Sequence, residues 1–120
     1  CDASPPTVKL GTVHTDVLTP KCLTGCHAPG GTGAFYGDYT SVATSNAVVG
    51  AASKYEGTPK KLKVVEANKL ANSALWLKLL GKTMGPNMES LGGKMPNDGT
   101  TLTAAQLKTV KDWICSGATM

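Results

Sequence analysis

The chain has 120 residues, enough for one domain. Its net charge of +4 comes from twelve lysines and no arginine; readers of nucleic acid lean on the bidentate arginine fork, so no nucleic-acid role is expected and the scattered lysines read as a solvated surface. No apolar run approaches the ~20 residues of a membrane span, and 5% aromatic residues with 14 glycines and 7 prolines describe a small, loop-rich fold that needs a disulfide, metal or cofactor as a staple.

Residues 1–11 are polar, contain Pro5 and Pro6, and read as an N-terminal arm before a single domain over 12–120. Val13, Val17 and Leu18 lie at helical spacing and predict a short helix over 12–19, ended by Pro20. Residues 28–38, APGGTGAFYGD, form a glycine-rich loop. A helix is predicted over 39–49, with Asp38 as its N-cap and Gly50 near its end. Residues 51–63 are lysine-rich and irregular. NSALWLKLLG is a short helix capped by Ser73 or Asn72, with Leu75, Trp76, Leu79 and Leu80 as its apolar face and Gly81 as its stop. Residues 82–100 are rich in glycine, proline and methionine and predict no regular structure. Thr103 and Gln106 match a capping box, and Leu107, Val110, Trp113 and Ile114 follow at helical spacing. There is no internal repeat and no strand alternation. The predicted class is all-α, with three to five short helices and long loops.

The chemistry-bearing stretch is PKCLTGCHAPGG, residues 20–31. Haem attachment is signalled by C-x-x-C-H; here three residues separate Cys22 from Cys26, and His27 follows at once. Positions i+3 and i+4 share a helix face, so the longer spacing can still direct both thiols to one haem. Gly25 is suited to absorb the extra residue. A Cys22–Cys26 disulfide is an alternative, but it leaves His27 without a role. A structural zinc site needs four N/S ligands and would have to recruit His14, Cys1 or Cys115 from scattered positions. A thioredoxin-like pair expects C-x-x-C in a βαβ setting, and neither is present.

Four segments in order carry a resemblance: VLTPKCLTGCH (17–27), NSALWLKL (72–79), KMPNDG (94–99) and WICSGA (113–118). Together they resemble a bacterial monohaem c-type cytochrome of the class I kind, over nearly the whole chain and with the variant C-x-x-x-C-H motif. The resemblance implies a cytochrome c-like fold around one covalent haem c, with Cys22 and Cys26 as thioether residues and His27 as proximal iron ligand. It implies a distal methionine from the loop before the last helix. It also implies that the first and last helices cross, packing Val13, Val17, Val110, Trp113 and Ile114, and that Trp76 and Leu79 line the haem pocket, with plain core packing as the alternative for both. Among Met84, Met88, Met95 and Met120, the MP pair selects Met95. Pro96 restricts Met95 to extended backbone, which lowers the entropy a flexible thioether loses on binding.

A His/Met haem has no free coordination position and a raised potential, so the implied role is a single-electron carrier serving redox partner proteins, not an enzyme. The alternatives are a haem enzyme or gas sensor with a displaceable distal ligand, for which only His14 offers a distal acid or base, and a structural haem module of a larger assembly. Self-assembly is left open. Cys1 and Cys115 are expected to pair as a disulfide that clamps the arm onto the last helix. The competing reading makes Cys1 a lipid-bearing residue, which would tether the domain to a membrane. Both put the protein in the periplasm or outside the cell.

Overall fold

The computed structural model describes residues 1–55 and 61–120. Part of the irregular stretch expected over 51–63 lies outside the described residues. The fold is all-α. Helix α1 (Leu10–Val13) continues without a break into a π-helical segment (His14–Leu23). Helices α2 (Val42–Asn46), α3 (Ala74–Leu79) and α4 (Ala104–Cys115) follow, with short 3₁₀ turns at Ala34–Tyr36 and Leu70–Asn72. Among the described residues no strand forms, only isolated bridges such as Val49 with Val65.

The first helix starts two residues earlier and ends four residues later than its spacing predicts. Its start is set by burial: Leu10 is fully enclosed and its amide donates to the Thr119 carbonyl at 2.9 Å. Its passage through Pro20 is helped by a contact from α4. Proline has no N–H for the carbonyl four residues back and crowds it in α geometry. That carbonyl, on Asp16, instead accepts from Gln106 Nε2 of α4 at 3.0 Å, while the chain runs in wider turns. Helix α2, by contrast, is shorter than predicted, and its cap is Ser41, not Asp38. Ser41 and Thr44 form a reciprocal capping box, whereas the Asp38 carboxylate is engaged by the Thr40 amide at 2.9 Å and by its hydroxyl. Helix α4 has the Thr103/Gln106 capping box that its sequence predicts.

Val13 and Val17 meet Val110, Trp113 and Ile114 in one fully buried cluster with Leu10 and Val65. Each such side chain contributes roughly 1.5–3 kcal/mol. Trp113 Nε1 donates to the Thr119 carbonyl at 3.1 Å, the same carbonyl that holds Leu10, so the C-terminal turn ties α1 to α4. Cys1 and Cys115 are joined as a disulfide with their Cα atoms 5.4 Å apart. Beside it, Ser116 Oγ bonds both the Val8 amide and the Val8 carbonyl. The arm is thereby laid against the end of α4. On α3, Leu75 and Leu79 are buried, but Leu80 is 45% exposed, outside the apolar face expected for it.

Candidate functional site

The π-helical segment delivers Cys22 and ends at Leu23. Gly25 then turns with φ +73°, a conformation in which glycine carries no side-chain penalty. The chain folds back so that the Cys26 amide reaches the Leu23 carbonyl at 3.2 Å and the His27 amide reaches the Cys22 carbonyl at 3.1 Å. The three-residue spacer between the cysteines thus closes as a turn at Gly25. Cys22 and Cys26 are free thiols, not paired with each other, and both line one cleft with His27.

The glycine-rich loop clasps this turn. Gly33 donates to the Cys26 carbonyl at 2.8 Å. A Cβ on Gly31 would lie 2.4 Å from that same carbonyl oxygen, so only glycine fits. A Cβ on Gly33 would lie 2.9–3.2 Å from Cε1, Nε2 and Nδ1 of His27, so the loop backbone covers the imidazole. The Tyr39 ring also packs on it, centroids 4.6 Å apart, and the Tyr39 amide donates to the His27 carbonyl at 2.8 Å. His27 Nδ1 lies 2.8 Å from the Gly37 carbonyl. A carbonyl only accepts, so the proton sits on Nδ1 and the Nε2 lone pair is left for an electrophile. This is the arrangement by which backbone partners orient metal-bound histidine.

The loop before α4 supplies Met95, whose amide donates to the Lys78 carbonyl at 3.1 Å. Of the four methionines, Met95 lines the cleft, whereas Met84, Met88 and Met120 are 50–71% exposed elsewhere. His14 also stands away: its Nε2 donates to the Tyr39 carbonyl at 2.9 Å and it does not line the cleft. It is neither a distal candidate nor a neighbour of the pocket.

The cleft holds about 250 Å³, near the lower end of the roughly 300–1,000 Å³ of ordinary cofactor and ligand sites. Val64, Leu75, Leu79, Leu91 and Pro96 make it largely apolar, and Lys21, Lys54 and Lys78 give it positive charge, with no carboxylate among the described residues that line it. Burial pushes the Cys22 thiol up to about 11, with Cys26 and Asp98 adding in the same direction. The thiol therefore stays protonated. Burial also raises the Tyr39 phenol and lowers the half-buried Lys78 ammonium. A largely apolar cleft lined by two free thiols, an imidazole and one thioether is chemically compatible with a covalently attached haem. The zinc alternative loses Cys1 and Cys115 as recruits, since they are bonded to each other. Among the described residues no group of three or more His, Cys, Asp or Glu has metal-holding geometry.

Trp76 is a correction. It packs against the main core and does not line the cleft. Ala74, Leu75, Lys78 and Leu79 form the cleft face of α3, and Trp76, one residue past Leu75, is turned off that stripe by helical rotation. Tyr36, Tyr39, Tyr55 and Lys78 were not anticipated in the site; the glycine-rich run directly after His27 was the signal that backbone would close upon it. No family model, curated protein or solved structure matches the chain.

Proposed function

We propose that the protein is a single-electron carrier with a cytochrome c-like fold, built on one covalently attached haem c. When bound, the haem supplies an iron that cycles between two oxidation states. Cys22 and Cys26 would hold it through thioether bonds, each S–H adding across a vinyl group with no oxidant required. His27 would offer Nε2 to the iron while the Gly37 carbonyl keeps Nδ1–H. Met95 would offer its thioether, a ligand that raises the potential. The apolar walls exclude water, which limits reorganisation on electron transfer.

The observation that carries this role is the convergence of Cys22, Cys26, His27 and Met95 on one cleft, with the His27 tautomer set for coordination. The partners are redox proteins. The Cys1–Cys115 bridge supports a location in an oxidising compartment, the periplasm or the cell exterior. The test is an optical spectrum of the matured protein in both redox states, with intact mass. A six-coordinate low-spin spectrum, unmoved by carbon monoxide, and one haem that acidified acetone cannot extract are expected. Extractable haem, or none, would sink the proposal.

A further inference from the structure

The end of α3 and the methionine-bearing loop meet through one residue. The last four carbonyls of a helix lack partners within it, and the Lys78 carbonyl accepts from both Gly81 N–H and Met95 N–H at 3.1 Å. The side chain of the same lysine reaches back along the cleft wall, and its Nζ donates to the Leu91 carbonyl. Leu91 is 1% exposed, and its amide is occupied by the Thr83 carbonyl at 3.0 Å. The ammonium also lies 5.6 Å from the centre of the Tyr55 ring. That ring presses on Gly92, where a Cβ would come within 2.7 Å of it. Leu91, Gly92 and Met95 are therefore all held, directly or through Tyr55, by Lys78. Lys78 takes part in none of the ion pairs of the described residues, so a carbonyl is the fixed partner of its ammonium.

We infer that Lys78 is the positioning residue of the Met95 loop: its ammonium pins Leu91 and its carbonyl pins Met95, so that the thioether is held in the cleft before it binds anything. For the iron, this rests on the proposed role of Met95; the clamp itself does not. A buried acceptor stripped of its donor is strongly destabilised, whereas a donor that is merely exchanged is not. Lys78→Met keeps the length and removes the donor, and Lys78→Arg keeps a donor.

The experiment is native-state hydrogen exchange on the matured protein, read at the Met95 amide and at the α4 amides of Val110 and Trp113, together with the Met–iron(III) charge-transfer band. In Lys78→Met, exchange at Met95 should quicken about tenfold or more while α4 is unchanged, and the charge-transfer band should weaken. Lys78→Arg should restore both. Unchanged Met95 exchange in Lys78→Met overturns the inference, as does an equal loss in Lys78→Arg. Loss of protection throughout α4 in Lys78→Met overturns it too, since Lys78 would then support the whole fold and not the loop. A wild type without the charge-transfer band refutes Met95 ligation instead, and the exchange data still decide the clamp.

Discussion

Gly33→Ala asks whether close packing of the glycine-rich loop is what holds the His27 imidazole. The backbone at Gly33 has φ −100° and ψ 1°, a region open to alanine, so the change adds no backbone penalty. Its Cβ would stand 2.9 Å from Cε1, 3.0 Å from Nε2 and 3.2 Å from Nδ1 of His27. Carbon contacts settle at about 3.5–4.0 Å, so loop or ring must yield by about half an ångström or more. Tyr39 packs on the same ring, and sideways motion strains the 2.8 Å bond from Nδ1 to Gly37. Overpacking of this kind costs about 1–3 kcal/mol. For a domain of this size that lowers Tm by roughly 4–12 °C. The assay is thermal unfolding beside Gly11→Ala, a helical position where a Cβ meets nothing within 4 Å and alanine is favoured. Gly11→Ala should melt at or above the wild-type Tm. Nitrogen NMR of His27 should show the Nδ1–H signal weakened or shifted in Gly33→Ala alone. If Gly33→Ala melts with the wild type and keeps that signal, the loop does not hold the ring.

Met95→Ala is expected to abolish the charge-transfer band, lower the reduction potential and admit carbon monoxide, whereas Met84→Ala and Met88→Ala, at exposed positions, should leave the spectrum unchanged. The Cys1–Cys115 bridge spans a sequence separation of 114, so replacing both cysteines by Ala should cost on the order of 4 kcal/mol by chain entropy, read as a lower urea midpoint; an unreduced digest should show the peptide pair joining residues 1 and 115. Tyr39 has a pKa raised by burial above its ordinary 10.0; the folded state then binds this proton more tightly than the unfolded one. Its contribution to stability is intact below pH 10 and is lost as pH rises beyond it, so Tyr39→Phe should flatten the alkaline fall in stability.

Local signals and long-range contacts divide what was legible here. Helix α4 was readable in full, because a capping box and an apolar period of 3.6 lie within a dozen consecutive residues. The all-α class followed from the same periodicity, whereas the packing of Val13 and Val17 on Val110, Trp113 and Ile114, which the fold shows, was expected from the resemblance alone. The turn at Gly25 was readable too, since only glycine relieves a left-handed position at no side-chain cost. By contrast, Asp38 and Ser41 are equally good caps on paper; the choice fell to Ser41 because Thr44 reciprocates, while Asp38 is taken by Thr40. Pro20 should have ended the first helix, and it does not, because Gln106, distant in sequence, satisfies the carbonyl that proline leaves bare. Trp76 looked like a pocket residue until the rotation of α3 set which stripe faces the cleft. The glycine-rich run after His27 hints at close backbone packing, but which groups grip the imidazole, and that Lys78 holds the Met95 loop, have no sequence signature, because these are contacts that only the folded chain brings within hydrogen-bonding or van der Waals distance.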